Sequence, residues 1–232
     1  MRNGIVFDAG PIISLATNNL LWVLPELKKK YGGNFFITPN VRKEIIDHPL
    51  KSHRFELEAM QVNDLIVSGV LEEIDLKNMT GFTDSLLSLA NHSFRVGKKN
   101  LQILQTGEIE TIAAASMICA DAVIIDERTA RLYLEDDIRL QNILSNKLHT
   151  TVDKNDKNKQ TFLKKTGDIQ VLRLIELIVA AFDLGLLKKY SVTSLQDSEK
   201  RVLAAALWAL KIRGAAISKE EIKYIVENCI SQ

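Results

Sequence analysis

The feature that most constrains the fold is a short apolar run at residues 4–7, which ends on Asp8 and turns at once through Gly10 and Pro11. A run this short, bounded by turn residues, is typical of a buried strand in a parallel sheet. Open α/β sheets bind ligands at the carboxyl ends of such strands, which makes Asp8 a candidate site residue. The alternative is that Asp8 only caps the helix that begins near Pro11, as aspartate often does.

Strand patterns and helical patterns alternate over the first half of the chain. Apolar runs predict strands at residues 4–7, 34–37, 71–76 and 122–125. Helical spacing predicts helices at residues 11–18, 20–30, 54–70, 82–96 and 106–120, with further helices opening at residue 38 and after residue 127. This alternation predicts an α/β fold of three layers, in which a mainly parallel central sheet lies between two layers of helices.

The second half of the chain is predicted to be mostly helical. Residues 153–160 are polar and of mixed charge, so we expect a solvated mobile loop there, with a lid over a charged substrate as the alternative. Helices are predicted at 169–187, 198–212 and 218–229, the last one opening on a capping box. We therefore divide the chain into an α/β domain at residues 1–190 and a C-terminal helical extension at residues 191–232. The extension is expected to pack on the sheet domain or on a second subunit.

Composition narrows the function classes only a little. The chain has 232 residues and a formal net charge of +1, so contact with nucleic acid would need a local basic patch rather than an overall positive field. Cys119 and Cys229 show neither metal-ligand nor disulfide spacing, which suits a reducing cytoplasm. Neither a signal peptide nor the roughly twenty apolar residues of a membrane span can be recognised, so a cytoplasmic protein is expected.

Acidic residues follow the predicted strands or open the predicted helices. Asp8 and Asp126 each follow a strand, Glu127 is next to Asp126, and Glu44, Glu108 and Glu110 lie in first or second turns of helices. For a single glutamate, stabilisation by the helix dipole is an ordinary alternative. Two carboxylates about 4 Å apart repel by about 4 kcal/mol at an effective dielectric constant of about 20, so a cluster calls for a compensating cation. Without histidine or thiolate partners, oxygen ligands favour Mg²⁺ or Mn²⁺ over zinc.

Four short motifs occur in an order that resembles the PIN-domain ribonucleases. They are a strand ending in Asp at residues 5–9, a Thr-Pro helix with a glutamate at 37–44, a Gly-Glu-x-Glu helix start at 107–115, and a strand ending in Asp at 123–128. The resemblance implies a three-layer α/β/α fold, metal-dependent hydrolysis of RNA phosphodiesters and, often, a homodimer. Many relatives are toxins that pair with an antitoxin protein, and others process ribosomal RNA. The resemblance does not extend beyond about residue 191.

The resemblance also assigns roles to individual residues. Asp8, Glu44 and Asp126 would be the principal ligands of one or two divalent ions. Glu110 is favoured over Glu108 because the acid directly before the small-residue run aligns with the family's site, while Glu108 would support the site from behind or cap its helix. Glu127 carries the same ambiguity beside Asp126. Arg42, Lys43, Arg128 and Arg131 are candidates for phosphate contacts, with a solvated helix charge as the alternative for each.

Two other function classes were weighed against this interpretation. A phosphatase of the haloacid-dehalogenase type would need a second acid two positions after Asp8, where this chain has Gly10. A catalytically weak PIN-like module that binds RNA or a protein partner is the stronger alternative. The sequence thus predicts an Mg²⁺- or Mn²⁺-dependent endoribonuclease that prefers single-stranded RNA, with the toxin of a toxin–antitoxin pair as one biological role.

Overall fold

A parallel five-stranded sheet forms the centre of the computed structural model, which describes residues 4–76, 79–192 and 194–229. The strands lie in the order β3-β2-β1-β6-β8, and all four pairings are parallel. A small antiparallel sheet has the order β5-β4-β7. The strands are β1 (Gly4–Phe7), β2 (Asn34–Ile37), β3 (Leu71–Glu73), β4 (Phe94–Val96), β5 (Lys99–Asn100), β6 (Ala122–Ile124), β7 (Asp153–Lys154) and β8 (Gln170–Leu172).

Helices cover both faces of the central sheet. A π-helical turn at Lys43–Asp47 and a 3₁₀ helix at Leu186–Tyr190 interrupt the α-helical series. The α-helices are α1 (Ala9–Thr17), α2 (Val23–Tyr31), α3 (Pro39–Arg42), α4 (His48–Ser52), α5 (Glu56–Val67), α6 (Thr80–Asn91), α7 (Thr106–Ile118), α8 (Arg128–Glu135), α9 (Asp137–Leu148), α10 (Asp156–Thr166), α11 (Leu174–Asp183), α12 (Ser198–Ile212) and α13 (Lys219–Asn228).

The two faces of the sheet carry two separate hydrophobic cores, because successive side chains of a strand point to opposite faces. Helices α1, α2, α5, α11, α12 and α13 cover one face, and α6 to α10 cover the other. The first core takes Ile5, Phe7, Phe35, Ile37, Ala122 and Ile124 from the strands, and the second takes Val6, Phe36, Val123 and Ile125. The predicted three-layer α/β/α fold is therefore confirmed.

Two predictions on the second face were wrong. The helix expected at residues 82–96 ends at Asn91, because the Asn91 side chain accepts hydrogen bonds from the backbone N–H groups of Ile103 and Leu104, and β4 follows. The loop expected at residues 153–160 is instead β7 and the first turns of α10. Asn155 caps that helix by accepting a hydrogen bond from the Asn158 N–H, a turn signal that the polar composition concealed.

The helix expected at residues 169–187 is also wrong, since this segment contains a strand before its helix. β8 pairs with β6 and completes the edge of the sheet, and α11 begins only after Arg173. Both pieces are apolar, and an apolar run cannot be divided into strand and helix by its periodicity.

The C-terminal helices pack against the sheet domain of the same chain. Leu203, Leu207 and Leu210 of α12 and Ile222 of α13 belong to the first core together with α11. The division at residue 190 stays a prediction. In the described part of the chain, no helix combines the length and the apolar character needed to cross a membrane.

Candidate active site

Asp8 lies at the point where the order of the strands reverses. From β1 the chain builds β2 and β3 on one side of the sheet, then crosses to β6 and β8 on the other side. Ligand sites of open α/β sheets form at this switch point, outside the carboxyl ends of the strands. The Asp8 backbone N–H donates to the carbonyl oxygen of Ile124 at 3.0 Å, so Asp8 continues the pairing of β1 with β6 up to that edge.

The Asp8 carboxylate is not held by a helix cap. Asp8 occupies the N-cap position of α1, yet its side chain makes no capping hydrogen bond. The pKa of Asp8 is raised to about 6, mainly because the carboxyl group is buried; the charges of Glu44 and Asp126 contribute to the rise, while the N–H groups of Ala9 and Gly10 oppose it. The carboxylate is thus partly buried near other acids, and the N–H groups at the start of α1 only partly offset the cost of burying it.

Asp126 follows β6 at the same edge of the sheet and is only half satisfied. Its Oδ1 accepts a hydrogen bond of 2.8 Å from the N–H of Leu174, while its Oδ2 is buried and has no hydrogen-bond partner within the described residues. Burial raises the pKa of Asp126, although the Leu174 N–H and the charges of Arg131 and Arg173 lower it. A buried oxygen without a partner calls for an explanation, and an absent ligand is one.

Glu108 is coupled electrostatically to Asp8. Its pKa is raised to about 7, mainly by burial; the Gln105 N–H opposes the rise, and the charges of Glu127, Asp8 and Glu44 contribute to it. Its Oε2 accepts a hydrogen bond of 2.7 Å from the Gln105 N–H and so caps α7. Helix capping is one of the two roles that the sequence predicts for Glu108. We call Asp8, Glu108 and Asp126 the acidic rim.

Glu110 has a hydrogen-bond partner just beyond the carboxyl end of β2. Its Oε2 accepts a hydrogen bond of 3.1 Å from the backbone N–H of Asn40, in the first turn of α3. The Glu110 carboxylate therefore already has a partner, and the preference for Glu110 over Glu108 stays a prediction. Residues two apart on a helix diverge, and the start of α3 provides a partner for Glu110.

Glu44 and Glu127 border the acidic rim in different ways. Glu44 is exposed on the π-helical turn, a type of helical distortion that is frequent at functional sites. Its charge acts on both Asp8 and Glu108. Glu127 is the N-cap of α8, where its Oε2 accepts a hydrogen bond of 2.6 Å from the Ala130 N–H. Glu127 therefore has a structural use that Glu44 lacks.

These residues fit a hard divalent cation by their chemistry, but they are not gathered into a cage. Carboxylate oxygens are the ligands that Mg²⁺ and Mn²⁺ prefer, and the unpartnered Oδ2 of Asp126 is such an oxygen. Across residues 4–76, 79–192 and 194–229, however, no three carboxylate, imidazole or thiol groups lie close enough together to hold a metal ion. A shared ion would therefore require acidic side chains at this edge to change conformation.

The four predicted phosphate contacts differ in how free their charges are. The Arg42 guanidinium is engaged, since its Nη1 donates to Glu73 Oε2 at 3.3 Å and its Nε lies 3.9 Å from Asp47 Oδ1. Lys43 is exposed on the π-helical turn, and Arg128 is exposed at the start of α8. Arg131 is partly buried, and its Nε has no acceptor within the described residues.

The sequence analysis missed the contribution of β8 and the start of α11. The Leu174 N–H that bonds Asp126 and the Arg173 charge that acts on it both come from this segment. Gly167, at φ 75°, ends α10 before β8, but no glycine or proline marks the boundary between β8 and α11, so the sequence held no signal for it.

Comparison with known proteins gives one result. A family model described as a PIN domain matches residues 4–140, which include β1, β2, α7 and β6 and so every acid discussed above. Searches among curated proteins and among solved structures gave no match.

Proposed function

Because the chain belongs to the PIN-domain family, whose members are generally nucleases, we propose that it is an endoribonuclease that uses Mg²⁺ or Mn²⁺ to hydrolyse phosphodiester bonds of single-stranded RNA. The central parallel sheet and the flanking helices are those of a nuclease-like fold.

One observation carries the proposal: Asp8 stands at the switch point of the sheet with a raised pKa and without a capping hydrogen bond. Asp126 adds a buried oxygen that lacks a partner on the same edge. Burying carboxylates near one another lowers the stability of a protein unless a cation compensates. The buried carboxylates of Asp8 and Asp126 therefore favour a role in binding a cation.

The residues divide into two groups by what they do. Asp8, Asp126 and Glu108 would hold the ion, with Glu44 approaching from the π-helical turn. Glu110 and Glu127 would instead order the site, since their carboxylates fix the first turns of α3 and α8. A bound divalent ion supplies neutralisation of the phosphate charge and activation of a water molecule at neutral pH. The Leu174 N–H holds Asp126 in position through Oδ1 and leaves Oδ2 for the ligand.

A catalytically weak module that binds RNA or protein is the second candidate function. It is favoured by the lack of three converging metal ligands in the described residues and by the capping bond of Glu108. An acid already used as a helix cap loses some of its capacity to bind a metal. The two candidates differ in whether bound RNA is cut.

The test is RNA cleavage by the purified full-length chain in the presence of Mn²⁺ or of EDTA. We expect cleavage with the metal only, and we expect Asp8→Asn and Asp126→Asn to lower the rate at least about a hundredfold, the scale of removing one preorganised electrostatic group. Asp64→Asn, on the exposed side of α5, is the matched control and should cleave normally.

Cleavage that persists in both rim variants would contradict the proposal. RNA binding without cleavage in Mn²⁺ would favour the second candidate function instead.

An antitoxin partner, a toxin role and a homodimer stay predictions from the family. A small neighbouring gene for a DNA-binding protein that co-purifies with this chain would support the first two. The mass of the protein in solution tests the third.

A further inference from the structure

A pocket lined by four arginines lies beside the acidic rim. Its volume is about 530 Å³, which falls in the range of sites that hold small molecules. Helices α8 and α9 form one wall, and the segment between α12 and α13 forms the other. The arginines are Arg128, Arg131, Arg139 and Arg173.

Positive charge in this pocket is only partly neutralised. Arg173 is paired with Glu176 at 2.9 Å and with Glu221 at 2.8 Å. Within the described residues, the other three arginines form no ion pair with a carboxylate, and the Nε of Arg131 is buried without an acceptor. Glu135 also lines the pocket and its charge acts on Arg131, so Arg128 and Arg139 keep the guanidinium groups most available to an anionic ligand.

The pocket adjoins the acidic rim through the start of α11. Arg173 directly precedes Leu174, whose N–H bonds Asp126 Oδ1. Arg131 lies close enough to Asp126 for each charge to act on the other. A chain of phosphates that reached Asp126 would therefore pass the arginines.

We propose that this arginine pocket binds backbone phosphates of a single-stranded RNA next to the bond to be cut, and that the C-terminal extension completes the pocket. This inference rests on the proposed function. Guanidinium groups bind phosphate oxygens through paired N–H donors, and contacts to phosphates fix the register of a nucleic acid without reading its sequence. The polar, charged lining suits a phosphodiester backbone better than an apolar peptide.

The pocket wall formed by the C-terminal extension is held in place by a hydrogen bond and an ion pair. It consists of Ala216, Ile217, Ser218 and Glu221. The Lys211 ammonium donates to the carbonyl oxygen of Ile217, and the ion pair of Glu221 with Arg173 ties α13 to the start of α11. A segment beyond the matched PIN region thereby acquires a role in holding substrate.

The test measures binding of a fluorescent single-stranded RNA ten nucleotides long to the full-length protein in EDTA, where no cleavage occurs. The double variant Arg128→Gln/Arg139→Gln should bind at least about tenfold more weakly. Its plot of log K against log salt should be shallower by about 1.4, because each phosphate contact on a single strand contributes about 0.7 to the slope. The double variant Arg95→Gln/Arg201→Gln removes the same charge outside the pocket and should change neither quantity beyond the effect of net charge.

A second variant tests the extension without removing any arginine. Ala216→Asp places a carboxylate on the exposed wall and should weaken RNA binding severalfold, whereas Ala205→Asp, on the exposed side of α12, should not. Circular dichroism verifies that all four variants are folded.

Unchanged RNA binding by both pocket variants would overturn the inference. So would equal or tighter binding of a ten-residue polyglutamate peptide with the same dependence on Arg128 and Arg139, because the occupant would then be an acidic protein segment. These readouts need no catalysis. A protein that binds RNA through the pocket but never cuts it would refute the proposed function and leave this inference standing.

Discussion

Ionisable groups are buried both at the acidic rim and around Lys159, but the two environments differ in the partners that they offer to the buried group. At the rim, burial raises the pKa of Asp8 to about 6 and that of Glu108 to about 7, and neighbouring acids add to the effect. In α10, burial lowers the pKa of Lys159 to about 8, and the charge of Asp137 only partly opposes the shift. Burial dominates in both regions.

The difference lies in the partners. The Lys159 ammonium donates to the backbone carbonyl oxygen of Tyr133 and lies 4.2 Å from the centre of the Tyr133 ring. Every direction around it is occupied by protein, since its residue is only 6% exposed. Asp126 at the rim keeps a buried oxygen without a partner. A buried charged group whose hydrogen bonds are made within the protein indicates a structural role. A buried carboxylate oxygen without a partner, close to other acids, indicates a ligand site.

The largest effect on stability is expected from Lys159→Met. The unfolded chain holds the lysine proton up to a pKa near 10.5, and the folded chain only up to about 8, so the unfolded state binds more protons between these values. Stability of the wild type should therefore rise by about 2 kcal/mol from pH 7 to pH 9.5, and Lys159→Met should abolish the rise. Urea denaturation across this range measures it. The pKa of Tyr133, raised to about 12, would act only at higher pH.

Lys157→Met, on the exposed face of the same helix, is the control and should keep the wild-type profile. A Lys159→Met variant that still gains stability with pH would mean that the Lys159 charge is better solvated than its burial indicates.

The acidic rim should change stability with pH in the opposite direction, so that stability falls as the pH rises. Because the folded-state pKa values of Asp8 and Glu108 are raised, the folded state binds more protons than the unfolded state from about pH 4 to pH 7. Stability of the metal-free protein should fall over this range, and Asp8→Asn should remove about 1 to 2 kcal/mol of the fall, a figure reduced for solvent screening. Thermal unfolding in EDTA at pH 5 and pH 8 checks this expectation.

Asp8→Asn should thus be as stable as the wild type at pH 8, or more stable. A large loss of stability in this variant would show that Asp8 supports α1 as a cap, against the missing capping bond.

The smallest expected effect is the difference in Mn²⁺ binding between variants of the two glutamates of α7. Glu108→Gln should weaken Mn²⁺ binding about tenfold, whereas Glu110→Gln should change it less than about threefold. A glutamine carbonyl at position 110 can still accept the hydrogen bond from the Asn40 N–H, so the first turn of α3 is preserved. A stronger effect of Glu110→Gln than of Glu108→Gln would indicate that Glu110 faces the metal, as the sequence predicts.

The sequence predicted those parts of the fold whose signals are local. β1, β2 and β6 are buried on both faces, and such strands appear as continuous apolar runs between turn residues. β4 and β8 have three residues each and lie next to apolar helices, so no periodicity distinguished them. The early end of α6 depends on Asn91 bonding to residues a dozen positions later, a tertiary contact that no local pattern contains.

The site was predictable in its position and less so in its members. Two strands that end on aspartate place Asp8 and Asp126 on one edge of any parallel sheet, and the structure has them there. The choice between Glu108 and Glu110 depends on how α3 packs against α7, which the spacing of these residues cannot reveal. The arginine pocket needs two segments far apart in the chain, so only the folded structure brings it together.

Titration of the metal-free protein with Mn²⁺, followed by the electron paramagnetic resonance signal of the free ion, tests the central claim most directly. If the acidic rim shares a cation, the wild type and the Asp64→Asn control should bind Mn²⁺ saturably, and Asp8→Asn and Asp126→Asn should bind it at least about tenfold more weakly. Equal binding by all four proteins, or none by the wild type, would contradict the account.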